Sequence, residues 1–198
     1  MSTVYTKIYD APPVNLKEVL RYAGARQSTP ELEALILECL EEIRDKLTYK
    51  VCYAEFDIVF KEDSIDLGFM TSTSRDLRKN LSGCNKAVLF AATVGIEVDR
   101  LIARYASVSP TKSLIFDAIG AERIESLCDA FNREISQSAA AQGYKTRPRF
   151  SAGYGDFHIE AQKDIFTVLG CHAKIGLSLG NNLLMSPSKS VTAIIGIF

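Results

Sequence analysis

Hydrophobic and polar positions change period along this chain in a way that separates helices from strands. Leu32, Leu35, Ile36, Cys39, Leu40 and Ile43 recur at three- and four-residue spacing, which predicts a helix from Thr29 to about Leu47. Its start is explicit: Thr29 can cap, and Pro30 takes the first helical position, where an N–H is not needed. A shorter helix is predicted from the capping residue Asn15 to about Ala23, stopped by Gly24. The period then drops to two. Cys52, Ala54, Phe56, Ile58 and Phe60 alternate with Tyr53, Glu55 and Asp57, the pattern of a half-buried strand. Lys61-Glu62-Asp63 predicts a turn, with Ser64–Met70 returning as the second arm of a hairpin.

Ser74–Leu81 predicts a short charged helix ended by Gly83, and the β-rich, apolar run Ala87–Val94, interrupted only by Thr93, a central strand. Gly95 leads into a helix with Val98, Leu101, Ile102 and Tyr105 on one face. Ser109-Pro110 opens the longest helix, carried to Gln142 and stopped by Gly143, with Gly120 as a point where it bends. A loop is expected at Arg147–Asp156 and a helix at His158–Leu169, ended by Gly170. Ile175, Leu177 and Leu179 alternate as a strand, and Ser190–Ile197 is the last one. This irregular order predicts an α+β fold: a largely antiparallel or mixed sheet packed with helices, one of them long. No stretch reads as a linker, so one domain spanning 1–198 is expected.

Composition narrows the function classes. A formal charge of −1, from 23 basic and 24 acidic residues, leaves no footprint for nucleic acid or an anionic membrane. The longest apolar runs are too short to span a bilayer, and the first residues carry no secretory pattern. The five cysteines are odd in number and lack C-x-x-C spacing, so neither a disulfide framework nor a structural zinc site is expected. A reduced, cytoplasmic protein is the expectation.

Neither histidine, His158 or His172, has a second histidine or a paired carboxylate at ligand spacing, so no metal site is expected. Cys171-His172, placed on a strand, would point to opposite faces and fail as a nucleophile–base pair. No catalytic residue is assigned. Gly153-Tyr154-Gly155 lacks the third glycine of a dinucleotide loop, since position 158 is His158. The stretch from Arg149 to Asp156 nevertheless gathers a guanidinium, two glycines, a phenol and a carboxylate. Arginine grips carboxylates bidentately, and glycine lets the backbone approach a ligand. The same residues also suit an ordinary surface turn. On the long helix, Glu122, Glu125 and Asp129 share one side, either as a solvated face or as carboxylates turned to a cationic ligand.

Arg149, Gly153 and Tyr154 match an R-x-x-x-G-Y signature, and Met185, Pro187, Ser190 and Val191 match an M-x-P-x-x-S-V segment. Glu18-Val-Leu-Arg-Tyr, Ala92-Thr-Val-Gly and Phe116-Asp-Ala-Ile-Gly extend the similarity over nearly the whole chain. In these features the sequence resembles the activation domain of cobalamin-dependent methionine synthase, and especially its short stand-alone homologues. The resemblance implies that Arg149, Gly153, Tyr154 and Gly155 bind S-adenosylmethionine, with Arg149 on the methionine carboxylate and Pro187, Ser190 and Glu125 supporting them. It implies a reactivation subunit, with S-adenosylmethionine as co-substrate and cobalamin carried by a partner. That partner would be cobalamin-dependent methionine synthase or another corrinoid protein. By the same resemblance, a flavodoxin- or ferredoxin-like donor would reduce cob(II)alamin through the complex, and the cob(I) form would then take the methyl group. The alternative expectation is a non-catalytic docking module for a corrinoid protein, one that lost S-adenosylmethionine binding with a C-terminus ending at Phe198. A methyltransferase acting on another small nucleophile ranks below both, because no general base is evident.

Overall fold

The computed structural model describes residues 2–25 and 27–198. The chain opens with β1 (Tyr5–Tyr9), α1 (Leu16–Tyr22) and α2 (Pro30–Ile43). Strand β2 (Tyr49–Asp57) is followed by three two-residue strands, β3 (Val59–Phe60), β4 (Ile65–Asp66) and β5 (Thr71–Ser72), and then by α3 (Arg75–Asn80). Next come β6 (Lys86–Thr93), α4 (Glu97–Tyr105) and the 32-residue α5 (Pro110–Ala141). A 3-10 turn at Ile159–Ala161 leads into α6 (Gln162–Leu169) and α7 (Cys171–Ile175). The short hairpin β7 (Ser178–Leu179) and β8 (Met185–Ser186) precedes β9 (Ser190–Ile197). Three of the helix starts are fixed by side-chain caps: Asn15 accepts from the Glu18 N–H, Thr29 from Leu32 and Ser74 from Leu77.

Strands β1, β2, β6 and β9 form an antiparallel sheet in the order β1-β2-β6-β9. Alternation along β6 sends Val88, Phe90 and Ala92 to one core and Ala87, Leu89 and Ala91 to the other. Helices α1, α2, α4 and α5 cover the first face with Val19, Ile36, Leu101, Phe116 and Phe131. Helices α3, α6 and α7 cover the second with Leu77, Ile165, Leu169 and Ile175. A strand buried on both sides is apolar at nearly every position, which is why Ala87–Val94 shows no alternation; its one polar side chain, Thr93, is buried with its hydroxyl bonded to Ser190 Oγ.

The sheet's β9 edge is closed by a segment that is not itself a strand. Lys145 and Phe198 exchange backbone hydrogen bonds at 2.8 and 3.0 Å, the Arg147 N–H donates to Gly196 O at 2.9 Å, and Phe150 and Ile194 exchange two at 2.9 Å. Residues 145–150 therefore shield the donors and acceptors of the edge.

Several expectations need correction. Strand β1 was not anticipated, because only Ile8 in it is aliphatic and that side chain is exposed. The strand expected from Cys52 to Phe60 breaks after Asp57: β2 pairs with β1 and β6, and the expected hairpin around Lys61–Asp63 forms only between the short β3 and β4, with β5 added beside β4. Helix α2 ends at Ile43, short of Leu47. The expected strand over Ile175–Leu179 is shorter than expected: Ile175 closes α7 (Cys171–Ile175), Gly176 and Leu177 lead away from it, and only Ser178–Leu179 is extended. At Gly120, read from sequence as a bend, close packing is also at work: a Cβ there would lie 2.6 Å from Val98 Cγ1 and 2.8 Å from Lys189 Cγ.

Of the three carboxylates expected on one face of α5, Glu122 is buried, against the solvated alternative. It pairs with the neighbouring Arg123, Nε to Oε2 at 2.5 Å and Nη2 to Oε1 at 2.7 Å. Arg123 also donates to the carbonyls of Pro12 and Pro13, while Glu122 accepts from the Asn15 N–H and the Ser126 hydroxyl. The pair clamps the segment between β1 and α1 onto α5. No helix among the described residues is long and apolar enough to cross a membrane.

Two stability outcomes follow from this packing. Glu122→Ala strands the Arg123 charge in the core and is expected to cost about 3–5 kcal/mol in urea unfolding. Gly120→Ala gains about 1 kcal/mol of helix propensity but overpacks against Val98, so a net loss of roughly 1–2 kcal/mol is expected in the same assay. A stabilised Gly120→Ala protein would show that the contact yields easily.

Candidate functional site

The edge segment that shields β9 also builds the site. Ile194 pairs with Phe150, so alternate residues of β9, including Thr192 and Ser190, turn their backbone groups to the same outer edge. Beyond Phe150 the segment peels away, and a pocket of about 270 Å³ opens beside Ser190, Val191 and Thr192. Its other walls come from Glu125 of α5, Arg149, Ser151, Ala152 and Tyr154 of the loop, Gln162 of α6, and Met185 of β8. Both helical layers thus contribute.

Consecutive residues of an extended segment face opposite ways, and here this separates Arg149 from Phe150. Phe150 packs against the second core, edge-on to Tyr154 with ring centroids 6.1 Å apart. Arg149 reaches α5, donating from Nη2 to Glu125 Oε2 and from Nη1 to Asp129 Oδ1, each at 2.6 Å. Burial works against the guanidinium charge, and the Asp129 bond with the neighbouring negative groups outweighs it, so its pKa rises. The helical spacing of Glu125 and Asp129 is what lets one arginine meet both.

The turn after Arg149 is held from below. The Gly153 N–H donates to Phe157 O at 2.7 Å, and Gly153 itself has φ +94°, which favours glycine. Asp156 caps α3: it accepts from the Ser74 hydroxyl, from the Arg75 N–H at 2.8 Å and from the Asp76 N–H at 3.1 Å. The Ser74 bond first, then these backbone bonds, holds its carboxyl below the usual range. At Gly155 a Cβ would fall 2.0 Å from Asp76 Oδ2, so a side chain there would have to displace the Asp76 carboxylate.

The residues expected from sequence therefore divide. Arg149, Tyr154, Glu125 and Ser190 line one pocket. Gly153 shapes the turn behind it, and Pro187 lies buried with its carbonyl accepting from Ser190 Oγ at 2.8 Å. Gly155 lies on the far side of the loop, beside Asp76 and Arg147. Ser151, Gln162 and Thr192 were not anticipated as wall residues. Thr192 carried a usable signal: with Ser190 it makes a polar pair on one side of an otherwise apolar strand. Gln162 carried none. Glu122 belongs to the clamp, away from this pocket.

Cys171 and His172 do diverge, on a helix rather than the expected strand. Cys171 is fully buried, whereas His172 is exposed, with Nδ1 2.9 Å from the Ser178 hydroxyl. Among the described residues, no cluster of three or more histidine, cysteine, aspartate or glutamate side chains is placed to hold a metal ion.

No protein-family model and no curated protein sequence matches the chain. Among solved structures, a crystal structure of the MetH reactivation domain bound to AdoHcy is similar with a TM-score of 0.75. The match covers 98% of this chain and 78% of that one, at 13% identity. The fold is thus the one that the resemblance implied, an α+β arrangement of antiparallel sheet and long helix.

Proposed function

We propose that the pocket at Arg149 binds S-adenosylmethionine and that the chain is a reactivation subunit. It would support reductive methylation of cob(II)alamin on a cobalamin-dependent methionine synthase or a related corrinoid methyltransferase. The observation that carries this reading is Arg149 held between Glu125 and Asp129 at a pocket mouth. The methionine end of the ligand is a zwitterion, with a carboxylate and an ammonium on one carbon. A guanidinium flanked by carboxylates is its complement. Arg149 takes the carboxylate, Glu125 or Asp129 takes the ammonium, and the exposed ring of Tyr154 forms a wall. Gly153 and Gly155 set the loop's path, and Pro187 and Ser190 set the opposite wall. The likeness to a reactivation domain whose crystal contains AdoHcy supports the same assignment.

The pocket is small and open for such a ligand, since small-molecule sites usually enclose about 300–1,000 Å³. A methyl donor that must reach a group on another protein needs that opening. Cobalamin, carried by the partner, supplies the reacting nucleophile once a flavodoxin- or ferredoxin-like donor has reduced it. The residues of this chain contribute placement of the sulfonium methyl, which shortens the search for a reactive geometry. No side chain is required as an acid or base.

A second reading is favoured by the same ion pairs. Because both carboxylates already occupy Arg149, the chain could instead be a docking module that has lost the ligand and only covers a corrinoid protein. Titration calorimetry separates the two. Wild-type protein is expected to bind S-adenosylmethionine, and Arg149→Ala to weaken binding roughly 10- to 100-fold, the loss for one charge-assisted contact. Absence of binding heat at millimolar ligand, with and without corrinoid partner, would sink the first reading. If Arg149→Ala leaves partner association intact while the wild type takes no ligand, the docking module stands.

A further inference from the structure

We propose that Gln162 reads the uncharged end of the ligand, accepting a hydrogen bond from a neutral N–H or O–H group that the protein does not supply. The inference rests on the S-adenosylmethionine reading and names the residue that would recognise the nucleoside part. Gln162 is the first residue of α6, delivered to the pocket wall by the 3-10 turn before it. Its side chain is 4% exposed, and its Oε1 is sealed from solvent with no donor within reach.

The charged side chains of the wall and the Ser190 hydroxyl are matched inside the protein. Arg149 has its two carboxylates, and the Ser190 hydroxyl bonds with Thr93 Oγ1 and Pro187 O. Gln162 is different. A buried carbonyl without a donor destabilises the fold, and an apolar side chain of the same length would pack there at lower cost. The terminal torsion of glutamine is soft, so the amide can turn its oxygen toward the pocket without moving the helix. A site with an unmatched acceptor binds a ligand that brings the donor and rejects an analogue lacking it. On S-adenosylmethionine the neutral donors are the 6-amino group of the purine and the ribose hydroxyls. They share the chemistry required, and both belong to the end of the molecule away from the zwitterion that Arg149 and its acids would hold.

The test compares wild type, Gln162→Met and Gln162→Glu by calorimetry and thermal melting. The probes are S-adenosylmethionine, its 6-oxo purine analogue and its 2′- and 3′-deoxyribose analogues. Gln162→Met is expected to bind S-adenosylmethionine roughly 10- to 100-fold more weakly. One analogue should be as weak with wild type and lose nothing further with Gln162→Met, which identifies the donor. Without ligand, Gln162→Met should melt higher by about 3 °C or more, because the unmatched acceptor is gone. Gln162→Glu keeps an acceptor and should retain the discrimination among analogues. Equal binding by Gln162→Met, an equal loss for every probe, or a lower melting temperature would each overturn the proposal; the last would mean that the amide serves the fold. Wild-type protein that takes no S-adenosylmethionine is a different failure: it removes the underlying reading and this inference with it.

Discussion

The arrangement depends on how the backbone at the open edge of β9 is satisfied. Donors and acceptors on a sheet edge must be paired, covered or left to water, and here residues 145–150 pair with them up to Ile194. Pairing imposes alternation, and alternation decides where the next side chains go. Phe150 is turned against the second core, and Arg149 toward α5. The loop must then leave the edge, because Gly153, Gly155 and Asp156 tie it to Phe157 and to the start of α3. The pocket is the gap between the last paired residue and the point where the loop is anchored again. Its position is thus a consequence of sheet pairing.

Much of this was legible in the sequence because local rules and tertiary packing agree. Thr29-Pro30 and Asn15 announce helix starts by their own chemistry, and both cap as expected; Ser74, first in another expected helix, caps α3 as well. The run Ala87–Val94, apolar but for Thr93, reads as an interior strand and is one. Failures occur where tertiary pairing overrides a weak local signal. Strand β1 has little apolar content of its own and exists because β2 offers it an edge. The strand expected from Ile175 starts later because Gly170 and Gly176, both at positive φ, bracket a single helical turn that takes in Ile175. At the site, Arg149 and Tyr154 stood out as chemistry within one loop. That Arg149 would meet Glu125 and Asp129, 24 and 20 residues earlier, could not be read from spacing, since only the fold joins the loop to α5. Gln162 was invisible for a stronger reason: an unmatched acceptor is defined entirely by what surrounds it.

Helix α5 carries two arginine–carboxylate clusters, and their environments give them different work. Side chains of Glu122 and Arg123 are 2% and 3% exposed. Opening that pair would leave a charge in the core, so the clamp holds the N-terminal segment permanently. Arg149 is 26% exposed, with Glu125 at 42% and Asp129 at 56%. Ion pairs so close to water contribute only about 0–1 kcal/mol, because solvent compensates most of what is lost when they part. A ligand presenting its own carboxylate and ammonium can therefore exchange partners with the second cluster at little cost, and cannot do so with the first. The pairing that fills Arg149 in the free protein holds the guanidinium at the pocket mouth without locking it. On this argument the occupied state of Arg149 counts less against ligand binding than it does for a site already set in place.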